Sequence, residues 1–324
     1  MTLLKKQEGI YIDDSLIDFS KESDGIIFDC DGVLIDITQS YDLTIIKTVK
    51  YVLENISNIS DSIKIDSKII EGFKSTGGFN DEVDLTYASI IALVAAKNLH
   101  RDQREFIFEV IQNCDSSGIL SAEKYIESLT DIDEIKNDLS YPGPHHNNPL
   151  YKIFDQIFYG PELYERLFNI KSKFLEKGLI ENDTLIINNP LISKLKTKFN
   201  SKISIVTGRG KESVRYSLKK LLDQFDLKNS AFLEDEPREM AKPNPFSLVR
   251  TIKGMNIRNS IYVGDSMEDL IMAKKATEQG YTTTFCGIIG TSKNPQEKLE
   301  LFKKNGALLV LESINLLPKV LNLE

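Results

Sequence analysis

Two patterns of apolar residues divide the chain. Up to about residue 35, and again from about residue 203, short apolar runs bounded by turn residues predict buried β-strands. These runs lie at 26–28, 203–206, 230–233, 260–263, 281–285 and 307–311. Between them, apolar positions recur at helical spacing, as in 214–225 and 270–276. Strands that alternate with helices predict an α/β fold with a doubly wound parallel sheet, whose ligand site lies at the carboxyl ends of the strands.

A long helical segment interrupts this alternation. After the first strand the strand pattern fades, and long helical patterns replace it, such as those at 81–99 and 148–176. We therefore predict an inserted helical domain at 36–183, between the two parts of a core domain at 1–35 and 184–324.

The middle of the insertion, about 103–147, has no assigned secondary structure at this stage. It contains the adjacent pair His145 and His146, which could bind a metal or a substrate. A plain loop is favoured, because neighbouring side chains in an extended loop point apart.

The composition narrows the function classes. The 324 residues carry a net charge of −8 with no dense stripe of Lys or Arg, which argues against a nucleic-acid partner. No apolar stretch is long enough to span a bilayer, and the first residues lack a signal-peptide core. Three widely separated cysteines indicate a reducing compartment rather than a disulfide framework. We expect a cytoplasmic protein with no nucleic-acid or membrane partner; its oligomeric state cannot be read from the sequence.

Two aspartates mark the end of the first strand. Asp29 and Asp31 follow the apolar run, and Gly32 then allows a sharp turn. Alternation along a strand places the two carboxylates on one face, where they repel each other unless a cation or a shared proton intervenes. Cys30, between them, points the other way and is interpreted as a core residue. The pattern predicts a metal-assisted active site.

Three later segments carry polar residues where strands or turns end. They are Thr207-Gly208-Arg209, Lys242 before Pro-Asn-Pro, and Asp265 with Asp269 four residues on. Taken singly, each has an ordinary interpretation as a strand exit, a solvated loop lysine or a helix cap. Their joint occurrence downstream of the paired aspartates indicates that they complete one site.

These four segments, in this order, resemble the four motifs of the haloacid dehalogenase superfamily of phosphotransferases. The first, Asp29-Cys30-Asp31-Gly32-Val33-Leu34, reads as in the phosphoglycolate phosphatase-like branch. The resemblance implies a Rossmann-like doubly wound parallel sheet core with an inserted large α-helical cap domain. In that superfamily such a cap closes over the site and selects the substrate.

The resemblance also implies a role for each residue of the core motifs. Asp29 is the expected nucleophile, Asp31 the general acid and base, and Thr207 and Lys242 hold the transferring phosphoryl group. The expected metal site is formed by Asp29, the backbone carbonyl of Asp31, Asp265 and Asp269. Because these ligands offer only oxygen, with no His or Cys, Mg²⁺ is expected rather than Zn²⁺. Gly208 and Arg209 are expected to bind substrate, although Arg209 could equally form a salt bridge to a core acid.

One segment of the insertion has the residues of a substrate contact. A glycine pair precedes a helix start, and the candidate contacts are Lys74, Gly78, Asn80 and Asp81. The alternative is a plain helix start, where the helix dipole by itself favours acidic residues.

These observations predict a Mg²⁺-dependent phosphatase. It would hydrolyse a small-molecule phosphomonoester through an aspartyl-phosphate, with phosphoglycolate, histidinol phosphate or a sugar phosphate as possible substrates. A phosphomutase of the same superfamily and a catalytically quiet binding protein on the same fold are the alternatives. A dehalogenase is disfavoured, because the acid at Asp31 serves no purpose in carbon–halogen displacement.

Overall fold

The chain divides into a core unit and a helical unit. A computed structural model describes residues 3–16, 19–79, 81–144 and 147–323, without the side chain of Arg238. The core unit comprises Met1–Ile37 and Asp183–Glu324, and the helical unit comprises Thr38–Asn182. The division predicted from the sequence differs from these boundaries by two residues at the first and one at the second.

Ten strands and fourteen α-helices occur within the described residues. The strands are β1 (Leu4–Gln7), β2 (Ile10–Ile12), β3 (Gly25–Phe28), β4 (Ile35–Asp36), β5 (Thr184–Leu185), β6 (Ile203–Thr207), β7 (Ala231–Phe232), β8 (Ser260–Gly264), β9 (Thr283–Ile288) and β10 (Leu309–Leu311). The helices are α1 (Phe19–Glu22), α2 (Tyr41–Asn55), α3 (Ser67–Ser75), α4 (Glu82–Asn98), α5 (Gln103–Gln112), α6 (Ile119–Glu127), α7 (Asp133–Leu139), α8 (Pro149–Phe168), α9 (Asn189–Lys198), α10 (Lys211–Leu218), α11 (Phe246–Gly254), α12 (Met267–Glu278), α13 (Pro295–Lys304) and α14 (Leu317–Val320).

The core unit contains one eight-stranded sheet in the order β1-β2-β10-β9-β8-β3-β6-β7. All pairs from β10 to β7 are parallel, whereas β1 and β2 add an antiparallel edge. In the register, Phe28 on β3 pairs with Val263 on β8 and with Ile205 on β6. The predicted α/β class with a parallel, Rossmann-like sheet is confirmed; the antiparallel edge was not predicted.

Both faces of the sheet are covered, which explains why its central strands are apolar along their whole length. On β3, Ile26 and Phe28 belong to one buried cluster, with Leu218 of α10. Ile27 belongs to a second cluster, with Tyr262 of β8 and Leu248 of α11. Because alternate residues of a strand face opposite sides, these two clusters are the two layers of a doubly wound sheet.

The helical unit is organised around α4. This helix has buried residues on all sides, from Val83 to Ala96, and it packs against α2, α5 and α6. A helix that is apolar all round must lie inside a bundle. Helices α5, α6 and α7 lie in the stretch that the sequence left unassigned.

One helix is shorter than its pattern predicted. The sequence pattern at 148–176 predicts helical structure throughout, but α8 ends at Phe168 because Asn169 adopts a left-handed conformation with φ of 55°. Gly160, with φ of 71°, interrupts it earlier. The prediction of helix from 169 to 176 is wrong. It rested on apolar residues that recur at helical spacing beyond the C-cap.

Within the described residues, no helix combines the length and the apolar character needed to cross a membrane.

Two glycines bring the backbone segments at 160 and 178 into direct contact. A β-carbon on Gly178 would lie 2.3 Å from the carbonyl carbon and oxygen of Tyr159, and one on Gly160 would lie 2.3 Å from the Gly178 nitrogen. Since backbone meets backbone here, no side chain can rotate away to make room for a larger residue.

We predict that Gly178→Ala lowers the free energy of unfolding of the helical unit by about 2–3 kcal/mol, because the new methyl group forces a backbone shift. Gly77→Ala is the matched control, because its β-carbon meets open space and only its φ of 81° is strained, at a cost of about 1 kcal/mol. Urea denaturation followed by circular dichroism measures both variants. Equal stability of the two variants would contradict the prediction.

Candidate active site

The candidate site lies at the carboxyl ends of three central strands. Asp29 directly follows β3, Thr207 is the last residue of β6, and Asp265 directly follows β8. Because β3 pairs in parallel with both β6 and β8, these ends lie at the same edge of the sheet. The Asp29 backbone N–H continues the ladder and donates to the carbonyl of Val263 at 2.8 Å, which fixes the start of the turn.

Lys242 joins two buried carboxylates. Its Nζ lies 2.9 Å from Oδ1 of Asp29 and 2.7 Å from Oδ1 of Asp269. Burial raises the pKa of Asp29 to about 7; Lys242 opposes this rise, and the charges of Asp269 and Asp265 add to it. Although burial lowers the pKa of Lys242, Asp269 and Asp29 together raise it well above its usual range. The lysine therefore stays charged between the two acids.

Asp269 anchors the turn between β8 and α12. Its Oδ1 accepts a hydrogen bond from the Tyr262 hydroxyl at 2.8 Å, and its Oδ2 accepts from the backbone N–H groups of Asp265 and Ser266. Ser266 caps α12 and completes a capping box with Asp269. Burial raises the pKa of Asp269, but Lys242, Ser266 and Tyr262 lower it more, so the group is ionised. The carboxylate thus fixes both Lys242 and the backbone of Asp265.

The acidic cluster can hold a hard cation. One carboxylate oxygen from each of Asp29, Asp265 and Asp269 lies within 4.8 Å of the others. Oxygen donors of this kind suit Mg²⁺. Both oxygens of Asp269 already accept hydrogen bonds, so Asp29 and Asp265 are the candidate direct donors, and the predicted coordination by Asp269 remains a prediction. The predicted contribution of Asp31 through its backbone carbonyl remains a prediction.

The turn after Asp31 approaches the second metal-site acid closely. Gly32 has φ of 70°, and a β-carbon there would lie 2.5 Å from Oδ2 of Asp265. Thr291 donates its hydroxyl to the Gly32 carbonyl at 3.0 Å. Lys298 of α13 also places its Nζ 2.8 Å from the same Oδ2 of Asp265. Only glycine allows this approach, since a side chain would push Asp265 away from the cluster.

Arg209 forms the salt bridge that the sequence left open as an alternative. Its side chain is fully buried, with Nε 3.2 Å from Oδ1 of Asp31 and Nη1 2.9 Å from Oδ2 of Asp183. Nη1 also donates to the hydroxyl of Ser217 at 3.0 Å, and that hydroxyl donates to Asp183 at 2.6 Å. A guanidinium enclosed in this way has no exposed surface to offer a phosphate, which argues against the predicted substrate contact.

Thr207 and Gly208 line the strand exit. Thr207 is buried, and its hydroxyl oxygen accepts a hydrogen bond from the Arg209 backbone N–H at 3.3 Å. Beside Gly208, no described residue lies within 4 Å of the position of a β-carbon, apart from its chain neighbours. The backbone at this exit is therefore open to a ligand.

The candidate contacts in the helical unit have partners inside that unit. Lys74 pairs with Glu82 at 3.3 Å, and Asp81 caps α4 by accepting from the Val83 N–H at 2.8 Å. A β-carbon on Gly78 would lie 2.4 Å from the Gly118 nitrogen, so its smallness serves packing. These contacts agree with the helix-start interpretation. Asn80, His145 and His146 lie outside the described residues, so their predicted roles stay predictions.

Several residues of the site were not found from the sequence. Tyr262 and Ser266 adjoin a motif, and the Ser-x-x-Asp spacing from Ser266 to Asp269 could have been interpreted as a capping box. Asp183, Ser217 and Lys298 carry no local signal. Asp183 and Lys298 lie far along the chain from the residues they contact, whereas Ser217 lies eight residues after Arg209 and reaches it from α10.

The sequence matches the haloacid dehalogenase-like hydrolase family over residues 24–277, and the chain belongs to that family. The predicted resemblance is thereby confirmed, and the protein is a hydrolase of this class.

Solved structures show the same fold. An X-ray structure from the Northeast Structural Genomics Consortium is 18% identical, with a TM-score of 0.61, and the match covers 92% of this chain and 98% of that one. The phosphatase Tt82 from Thermococcus thioreducens is 20% identical, with a TM-score of 0.57, over 87% of this chain and 99% of its own. No curated protein sequence matches the chain.

We predict that Tyr262→Phe lowers the free energy of unfolding by about 1.5–3 kcal/mol, because buried, ionised Asp269 loses a hydrogen bond while the aromatic ring is kept. The control is Tyr281→Phe, whose hydroxyl makes no hydrogen bond to any described residue and whose loss should cost less than about 0.5 kcal/mol. Urea denaturation measures both. Indistinguishable midpoints would show that the Tyr262 hydroxyl does not support Asp269.

Proposed function

We propose that this protein is a Mg²⁺-dependent phosphatase that hydrolyses a small-molecule phosphomonoester through an aspartyl-phosphate on Asp29. The observation that carries the proposal is the contact of Asp29 with Lys242 beside the acidic cluster, at the strand ends of a haloacid dehalogenase-like hydrolase. Few other reactions need a nucleophilic carboxylate, a fixed positive charge and a hard-cation site within a few ångströms.

In the first step, a carboxylate oxygen of Asp29 attacks phosphorus and the bond from phosphorus to the ester oxygen breaks. The carboxylic acid of Asp31 gives its proton to that oxygen, so the product alcohol leaves neutral. Formation of the acyl phosphate on Asp29 divides one slow displacement into two faster ones.

In the second step, water attacks the phosphorus of the aspartyl-phosphate. Asp31, now a carboxylate, accepts a proton from the water as the bond from phosphorus to Asp29 breaks. Inorganic phosphate leaves, Asp29 is again a carboxylate and Asp31 is again an acid. Each step therefore uses Asp31 in the protonation state that the other step leaves behind.

Positive charge and hydrogen-bond donors stabilise both steps. Lys242 is held charged beside Asp29, and the Thr207 hydroxyl with the open backbone at Gly208 can donate to a phosphoryl oxygen. When bound, Mg²⁺ supplies charge neutralisation at the phosphoryl oxygens and reduces the repulsion between them and Asp29. Asp29 and Asp265 would hold the ion.

The substrate we propose is a small soluble metabolite in the cytoplasm. The net charge of −8 opposes binding to nucleic acid, and all three cysteines are free, as in a reducing compartment. The helical unit would act as the cap that selects the substrate. Lys74, Asn80 and Asp81 remain candidate substrate contacts in that unit. The chemistry of the core does not by itself define the substrate.

We predict that Asp29→Asn abolishes phosphate release, lowering the rate by at least about 1,000-fold, because the amide oxygen is not an effective nucleophile. The assay measures release from a panel of phosphate esters, including phosphoglycolate, histidinol phosphate, sugar phosphates and nucleoside monophosphates. Asp223→Asn, on an exposed surface pair with Arg215, is the control and should retain wild-type activity. Undiminished release by Asp29→Asn would refute the mechanism.

We predict that Mg²⁺ raises the thermal unfolding midpoint of the wild-type protein above its value in EDTA, because the ion binds only the folded acidic cluster. Asp265→Asn should remove most of this shift, since it replaces a charged donor, whereas Asp223→Asn should leave it unchanged. Differential scanning calorimetry without substrate measures all three proteins. A full shift in Asp265→Asn would exclude this residue as a ligand.

A further inference from the structure

We infer that Arg209 is a positioning residue that holds the carboxyl group of Asp31 in the orientation needed for proton transfer to the leaving group. The inference rests on the proposed phosphatase function. It assigns Arg209 to the orientation of the acid and not to the substrate.

The geometry gives Arg209 a fixed orientation. The two charged contacts use different sides of its planar guanidinium, with Nε towards Asp31 and Nη1 towards Asp183. Ser217 bridges Nη1 and Asp183, which closes a small hydrogen-bonded ring. Since this planar group is held at two edges, it cannot rotate without breaking one of these contacts. Asp183 and Ser217 thus fix the arginine through hydrogen bonds, and the arginine holds Oδ1 of Asp31 by an ion pair without hydrogen-bond geometry.

Arg209 and Asp31 differ in how far their side chains are exposed to solvent. The side chain of Arg209 is 0% exposed, whereas that of Asp31 is 24% exposed. One part of the Asp31 carboxyl group is therefore accessible to a ligand, while Oδ1 lies against the buried arginine. A carboxyl group free to rotate would present its accessible oxygen to the leaving group only part of the time, and misplacement by about 1 Å can reduce a rate 100-fold.

A positioning role has a chemical signature that a purely structural role lacks. Proton donation matters most when the leaving alcohol is a poor leaving group, and least when it leaves readily as an anion. Loss of Arg209 should therefore slow hydrolysis of alkyl phosphates far more than hydrolysis of activated aryl phosphates. A residue that binds the phosphate, or only supports the fold, affects all esters alike.

The test compares kcat/KM of the wild type and Arg209→Met across dinitrophenyl, nitrophenyl and phenyl phosphate and the best alkyl phosphate of the panel. We expect a loss of about 100-fold for the alkyl ester and less than about threefold for the dinitrophenyl ester. Arg215→Met is the matched control, because Arg215 pairs with the exposed Asp223 on the surface, and its loss should change neither rate. A uniform loss across the series would overturn the inference.

A double-mutant cycle identifies the residue through which Arg209 acts. If it acts through Asp31, Arg209→Met should cause no further loss of alkyl-ester hydrolysis in an Asp31→Asn background, beyond about twofold. Multiplicative losses would show that the two residues act independently and would also overturn the inference.

Arg209→Met leaves Asp31 and Asp183 without their shared cation and could fail to fold. Two milder variants cover that case. Asp183→Asn keeps the size of the anchor and removes its charge, so we expect a smaller loss of about 5- to 10-fold, again confined to poor leaving groups. Arg209→Lys should behave similarly, because a lysine keeps the charge and loses the planar fork. Loss of equal size for all esters in both variants contradicts the inference.

The outcomes also distinguish this inference from the function on which it rests. If the wild-type protein hydrolyses no ester, the proposed function is refuted, and the inference falls with it. If the wild type hydrolyses esters in an Asp29-dependent manner but the Arg209 variants show no dependence on the leaving group, the inference alone is refuted.

Discussion

The candidate site depends on the buried ammonium group of Lys242 between Asp29 and Asp269. Carboxylates taken out of water repel each other strongly, and desolvation disfavours their charged forms. Removal of one partner from such a buried pair typically costs about 3–5 kcal/mol, because the remaining charge is left uncompensated. Lys242 lies within 3 Å of both acids and offsets this repulsion. Without this contact, the pKa of Asp29 would rise further and Asp269 would lose the charge that lowers its own pKa.

Both the backbone and buried side chains position the groups around that contact. Because β3 and β8 are adjacent parallel strands, they place Asp29 and Asp265 at the same edge of the sheet. Buried polar side chains then orient the charged groups. Tyr262 and Ser266 hold Asp269, which in turn holds Lys242, so buried groups determine the orientation of the lysine. Fully satisfied networks of this kind are rigid, and the proposed phosphoryl transfer requires rigidly held catalytic groups.

The two aspartates of the first motif lie in different environments. Asp29 lies among buried charges, with Lys242 as its cation, and is suited to act as a nucleophile that never needs to leave its position. Asp31 is partly exposed and has a different cation in Arg209. Because each acid has its own basic partner, the charge of one can change during a reaction without removing the partner of the other. This separation is consistent with one acid forming a covalent bond and the other exchanging protons.

The sequence by itself determined the fold class and predicted the candidate site. Apolar runs that end in Asp29, Thr207 and Asp265 reveal buried parallel strands, because burial on both faces removes polar residues from them, and the ends of such strands converge. The tertiary structure decided what those motifs contact. Asp183, Ser217 and Lys298 carry no local pattern, since their partners are brought near only by folding. Arg209 shows the same limit: its position beside Thr207 was evident, but its choice of Asp31 and Asp183 depends on which charges are buried together. The structure also showed where α8 ends. Asn169 adopts a left-handed conformation there, which the helical spacing of apolar residues does not indicate.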